Sequence, residues 1–350
     1  MKRKWIIVLL LCLTAGAVLV MTRLNNAWHF RPIERSFSGV CATVSGVVGA
    51  EDITVNPRTG IAYISVCDRR SAAAGQDAAG GIFAYDLNVP GRFPVRLDTG
   101  LSGDFQPHGI CLFTAETGAV SLFVVNHGKG RHAVDIFDLD GLTLVHRKTV
   151  TGPLLFSPND VAAVDEDRFY VTNDHGSRSD MGKTLEDYLN LKRSGVVYYD
   201  GQGFRSVAER IGYANGIALG PGGQFLYLCA TTEGTVRVYQ RDLISGALAL
   251  QQTVECGTGV DNIEVDDTGA LWIGAHPKPF DFVMHARSER YRSPSEVIKL
   301  TRGPAGNFSQ QVVYLDDGSA LSGSSVGAVY RNRLLIGSVF EPFFLDCRME

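Results

Sequence analysis

Beyond residue 40 the chain runs in short apolar stretches with polar residues at alternate positions. Pairs of such stretches, divided by a turn of Asp, Asn, Gly or Pro, recur six times: "EDITVNPRTGIAYIS", "HGICLFTAETGAVSLFVVNH", "NDVAAVDEDRFYVTND", "NGIALGPGGQFLYLCA", "DNIEVDDTGALWIGAH" and "SSVGAVYRNRLLIGSV". Their first apolar runs open at Ile53, Ile110, Val161, Ile217, Ile263 and Val326, 46 to 63 residues apart. A period of two around a tight turn predicts a β-hairpin. Most hairpins are followed by a third strand-like piece, as in "GIFAYDLN" or "GTVRVYQRDL", and some by a fourth, as in "FPVRLDTG" and "LTLVHRKTV". Six units of this size predict an all-β fold, a six-bladed β-propeller. The alternative, an open array of six β units, leaves sheet edges that need protection.

Ring closure is legible at the two ends of the repeat region. The sixth hairpin is followed only by "EPFFLDCRME", enough for one more strand. The remaining outer strand is therefore predicted from the N-terminal side, in "SFSGVCATVSG". That pairing makes neighbours of Cys41 and Cys347, and a disulfide between them would close a loop of about 300 residues, worth several kcal/mol in a chain-entropy picture.

Composition adds a size class and a compartment. The chain has 350 residues, 45% of them hydrophobic, 39 Gly, 20% charged residues and a net charge of −4. These values suit a large β domain and give no footing for nucleic-acid binding. Seven cysteines without a CxxC pair do not suggest zinc, and Cys67, Cys111, Cys229 and Cys256 read as buried small hydrophobes. The first 25 residues place three positive charges before an apolar run from Trp5 to Met21. This is a signal peptide, with "AGA" at 15–17 resembling a cleavage site, or a membrane anchor with its basic end inside. Leu11 before Cys12 argues against lipidation. Either way residues 26–350, the propeller domain, are expected outside the cytoplasm, secreted or anchored.

The polar residues before each first apolar run form two registers. Glu51, His108, Asn159, Asn215, Asp261 and Ser324 stand two positions ahead, and Asp52, Gly109, Asp160, Gly216, Asn262 and Ser325 one position ahead. In a propeller the innermost strands line a central channel, so equivalent positions form a ring at one mouth. Such an oxygen-rich ring suits a hard cation: Ca2+ takes carboxylate, amide and carbonyl oxygens, whereas zinc prefers His and Cys. Asn, Asp and Gly also start strands and turns for purely local reasons. One position would mean no more than that, but a shared register across the repeats says more.

The strings "SGVVGAEDI", "PHGICLF", "LFVVNH", "PNDVAAV", "FYVTNDH", "YANGIAL", "VDNIEVD", "LWIGAHP" and "SVGAVYRNRLLIGSVF" resemble the serum paraoxonase/arylesterase family, in order, from about Cys41 to Cys347. The resemblance implies a six-bladed propeller with two calcium ions in its channel, acting as a lactonase and aryl esterase and in some cases on phosphotriesters. It implies that Glu51, Asn159, Asn215, Asp261 and Asn262 hold a catalytic calcium. Asp52, Asp160 and the carbonyl of Ile110 would hold a deeper, structural one. His108 and His127 match the family's histidine dyad, and Cys41 and Cys347 its disulfide.

Ester cleavage needs a polarised carbonyl and a deprotonated water. Histidine suits the second task near neutral pH, which points to His108 with His127 behind it. Asp261 is the rival base, and Asp174, His175 and His276 are further pocket candidates. Arg69 and Arg70, in "VCDRRSAAAGQ", either favour anionic substrates or form a solvated surface pair. "HGSRSDMGKTLEDYLNLKR" reads as a lid with a helix capped by Thr184, and "FDFVMHARSERYRSPS" as further rim. The expected partner is a small ester or lactone, with membrane contact through the N-terminal segment. A sugar-lactone hydrolase of the gluconolactonase kind and a calcium-stabilised, non-catalytic binding propeller are the other readings. The paired histidines favour the esterase.

Overall fold

In the computed structural model each of the six hairpins forms the inner part of an antiparallel sheet, four-stranded in five blades and five-stranded in blade five. The structure describes residues 2–350 except 77, 79, 90, 102–104, 129 and 130. The innermost strands are Ala50–Asn56, Pro107–Thr114, Pro158–Ala163, Ala214–Leu219, Gly259–Val265 and Ser324–Tyr330. Each packs against the next, and the sixth against the first, so the ring is closed. Hydrophobic clusters fill the spaces between blades. Ile53, Ile64, Val326 and Phe344, for example, join blades six and one. This is the six-bladed propeller that the repeat predicts.

Closure follows the predicted route. Gly39–Ser45 pairs antiparallel with Phe343–Met349, with Cys41 opposite Cys347. The two cysteines form a disulfide across 306 residues of chain. The N-terminal side does one thing more. Ser36 and Phe37 pair with Leu315 and Tyr314 on the outer strand of blade five. Nearby, Arg31 grips the fully buried carboxylate of Glu296 with two contacts of 2.6 and 3.0 Å. Of the remaining cysteines described, Cys67, Cys229 and Cys256 are buried, and Cys111 is partly covered.

Four helices lie outside the blades: α1 (Lys2–Asn26), α2 (Arg69–Ala73), α3 (Asp180–Leu189) and α4 (Pro279–Arg287). The apolar run from Trp5 to Met21 lies in α1, where many of the side chains fall outside the described residues. Among the described residues no helix is long and apolar enough to cross a membrane. The lid helix begins earlier than the sequence reading placed it. Ser179, in extended conformation, is the cap, its hydroxyl accepting from Gly182 N at 3.2 Å. Thr184 sits inside α3 and donates back to Asp180 O at 2.8 Å, the usual use of a helical Thr hydroxyl.

Candidate active site

Strand pairing explains how two consecutive residues can both serve the channel. In a regular strand neighbouring side chains point to opposite faces, so one of each pair would face away from the channel. Every inner strand instead breaks register where the polar residues stand. Pro107 pairs with Asn126 and Ile110 with Val124, so His108 and Gly109 together oppose Val125. The same holds for Asn159 and Asp160, Asn215 and Gly216, and Asp261 and Asn262. This is a β-bulge, which inserts one residue and re-aims side chains. These polar pairs therefore lie within the strands, one to three residues after their starts, and do not precede them as turns.

The two glycines of the second register have a steric reason. A Cβ on Gly109 would come within 2.3 Å of Asp160 Oδ1, and one on Gly216 within 2.5 Å of Asp261 O. Adjacent inner strands approach too closely there for any side chain.

A cavity of about 460 Å³ opens over this ring. Glu51, His108, Asn159, Asn215, Asp261 and His276 form its polar floor. Its walls are largely apolar, with Trp28, Tyr188, Phe280, Phe282, Val283 and Phe340. The roof comes from the end of α1, from α3 and from α4. Trp28 was not anticipated from the sequence, and no local pattern marks it. It is held against Gly234, where even a Cβ would strike its ring.

The predicted residues divide by depth. Asp52, Asp160 and Asn262 are buried but do not line the cavity, nor does His127. Ser324 and Ser325 stitch blades together: Ser324 donates to Ala275 O at 3.0 Å and Ser325 to Glu51 O at 2.5 Å. Asp174 and His175 stand outside the cavity lining. His175 bonds Asp174 at 2.7 Å and Asp187 of α3 at 3.0 Å, so the pair pins the lid helix to blade three. Arg69 and Arg70 are turned inward, which removes the surface-pair reading. Arg69 lies 3.4 Å from Glu51, and Arg70 covers the Phe340 ring and donates to His285 O at 2.7 Å.

Hydrogen bonding in the ring is directional. Asn262 Nδ2 donates to Glu51 Oε1 at 2.8 Å, and Asn215 Nδ2 donates to Asp261 Oδ1. Asp261 Oδ2 is taken by His276 Nε2 at 2.8 Å. The oxygens of Asn159, Asn215 and Asn262 are buried and have no partner among the described residues. Three orphaned amide oxygens beside two carboxylates are a donor set for a hard cation, and a buried acceptor without a partner is costly otherwise. Among the described residues no group of three or more His, Cys, Asp or Glu side chains is arranged to hold a metal. The amide-rich set has only two carboxylates in its upper ring.

Charge in the lower ring points the same way. Burial and the neighbouring carboxylates of Asp160, Glu51 and Glu264 push Asp52 well above the usual carboxylate range. Burial likewise raises Asp160, although Ile217 and Val161 N–H groups bond it at 2.7 Å. A bound cation would relieve both. Glu51 differs: burial opposes its ionisation, but His108, Arg69 and Asn262 hold it down at about 2.

Beside the ring, His108 Nδ1 lies 2.8 Å from His127 Nε2. His127 Nδ1 in turn lies 2.9 Å from Nδ1 of His132, a residue the sequence reading passed over. Burial, with His108 and His132 alongside, lowers His127 well below an ordinary imidazole, so it stays neutral.

A six-bladed propeller with an imidazole pair over an oxygen-lined channel mouth belongs to the propeller hydrolases. Within that class the chain belongs to the arylesterase family, whose model matches residues 33–348. It is 34% identical over 331 residues to serum paraoxonase/arylesterase 1 of Homo sapiens, covering 91% of each chain. It is 36% identical over 314 residues to serum paraoxonase/arylesterase 2 of Gallus gallus, covering 86% of each. Among solved structures, a luciferin-regenerating enzyme shares the fold at 12% identity and a TM-score of 0.56, over 89% of this chain and 95% of that one. The protein is an ester-hydrolysing enzyme of the esterase/lactonase type.

Proposed function

We propose that the protein is a calcium-dependent hydrolase of lactones and aryl esters. The observation that carries this reading is the set of three partnerless amide oxygens, on Asn159, Asn215 and Asn262, beside Glu51 and Asp261 and next to the His108–His127 pair. Those five residues would hold the catalytic calcium, and Asp52, Asp160 and the Ile110 carbonyl a structural one. Calcium, when bound there, supplies a Lewis acid for the substrate carbonyl oxygen. His108 Nε2, which lies 3.6 Å from Glu51 Oε1, takes the proton from the attacking water, and His127 fixes its tautomer by accepting from Nδ1. His108 is favoured over Asp261 as base because both oxygens of Asp261 are already engaged, by Asn215 and His276.

The aromatic and aliphatic walls suit aryl or alkyl groups better than a polyhydroxylated sugar lactone. The N-terminal segment is proposed as a signal or anchor that takes the propeller out of the cytoplasm, which the Cys41–Cys347 disulfide supports. The test is hydrolysis of a panel of aliphatic lactones, a sugar lactone and phenyl acetate, with and without a chelator. Turnover of aliphatic lactones or phenyl acetate, lost with the metal and restored by calcium, is expected. Activity confined to the sugar lactone, or indifferent to chelation, would overturn the proposal.

A further inference from the structure

Hydrolysis near neutral pH turns an ester and a water into a carboxylate, an alcohol and one proton. One proton must therefore leave the site in every turnover. The cavity over the ring is a poor exit while substrate fills it under the roof of α1, α3 and α4. The three imidazoles lead elsewhere. His108 lines the substrate cavity, whereas His132 lines a separate hollow of about 460 Å³ among the loops of blades two and three. Arg131, Thr151, Pro153, Phe156 and Arg178 line it as well. His127 joins the two, using one ring nitrogen for each neighbour at 2.8 and 2.9 Å. The rings are tilted by 55° and 87° to one another.

We propose that His132 is the outer end of a proton path running from the substrate cavity through His108 and His127 to this hollow. The inference rests on His108 being the base. The water O–H bond breaks as its oxygen bonds the carbonyl carbon, and the proton joins His108 Nε2; the ester C–O bond then breaks, and the leaving alkoxide takes the remaining proton of the added hydroxyl. The proton on His108 Nδ1 passes to His127 Nε2, and that on His127 Nδ1 passes to His132 Nδ1. His132 then releases the proton on Nε2 to water in the hollow. One proton enters the chain and one leaves; the pass moves each imidazole's proton to its other nitrogen, so rotation of the three rings restores the starting tautomers before the next turnover. The charged groups around the path are Glu51, whose Oε1 lies 3.6 Å from His108 Nε2, Asp261, Asp174, Lys183 and Arg69, with Arg131 and Arg178 at the hollow. His132 acts through its neighbours and touches no reacting atom, so it is a positioning and relay residue.

The experiment compares His132→Leu and His132→Gln with the full-length enzyme on its fastest ester, with and without added imidazole. Both variants should lose about tenfold or more in kcat with KM nearly unchanged, a modest proton-transfer effect. Imidazole should restore kcat in a saturable way through the open hollow, while leaving the unsubstituted enzyme unchanged. A kcat within twofold of the parent, or a loss that imidazole does not repair in a folded variant, overturns the path. If neither variant folds, a proton inventory on the parent decides: a curved dependence on deuterium fraction supports the path and a linear one overturns it. A fully active His108→Gln protein overturns the base assignment itself. An inactive one beside fully active His132 variants overturns only the path.

Discussion

Asn215 spends its amide nitrogen on Asp261 Oδ1 and leaves its own oxygen buried without a partner. The contact fixes the amide's orientation, since the same nitrogen also lies 3.1 Å from Thr231 Oγ1. Asn262 repeats the arrangement against Glu51. In both, the donor end braces a carboxylate and the acceptor end is left for something else.

Removing that something else should destabilise the fold. Without a cation, Asp52 and Asp160 are buried carboxylates whose ionisation is opposed by burial and by neighbouring carboxylates, Asp160 for the first and Glu51 and Glu264 for the second. Exhaustive chelation, with metal loss verified by elemental analysis, is expected to lower the melting temperature, and calcium to restore it better than magnesium. A melting curve indifferent to the metal would count against the cation site.

The ligand and base assignments separate by mutation. Asp261→Ala should lose calcium affinity, read directly by calorimetric titration, together with all hydrolysis. His108→Gln should keep calcium and fold yet lose lactone and ester turnover by about a hundredfold or more, the scale of general-base removal. Near-normal turnover in a metallated His108→Gln protein would move the base to Asp261.

The lid helix carries a pH dependence. Burial works against a charge on His175, but Asp174 and Asp187 outweigh it and raise the imidazole from 6.5 to about 9. A raised value means the protonated form is favoured by folding. The stabilisation is complete below pH 6.5 and is lost as pH rises through about 9. Hydrogen exchange of α3 should accelerate over that window beyond its intrinsic pH trend, and His175→Asn should abolish the excess. Equal protection of α3 in both proteins across the window would rule this out.

Closing the ring covalently should matter for stability more than for chemistry. The disulfide spans 306 residues and lies on the far edge of blade six, away from the cavity lining. The double change Cys41→Ser, Cys347→Ser is expected to cost roughly 3–5 kcal/mol in denaturant unfolding on the chain-entropy scale. The kcat of the folded fraction should stay close to that of the parent. Unchanged stability after the double change would remove the stapling role.

The sequence alone was enough for the repeat, its count, the closing strand and the cysteine pair. Alternation of apolar and polar residues is a property of each strand's own two faces and survives without knowledge of neighbours. It also showed the same polar positions recurring ahead of Ile53, Val161, Ile217 and Ile263. It could not tell why Asn215 and Gly216 stand there. They read as a turn before a strand, whereas pairing of Ala214 with Ala230 makes them a bulge inside one. A bulge exists only in the register between two strands. The helix cap passed from Thr184 to Ser179 because the backbone enters the helix there, and Ser324 left the ring because blades five and six meet on its hydroxyl. Trp28 in the roof and His132 at the end of the imidazole chain carry no local signal at all. Their roles come from contacts with Gly234 and His127, and only the closed ring brings a wall to the first and a second cavity to the other.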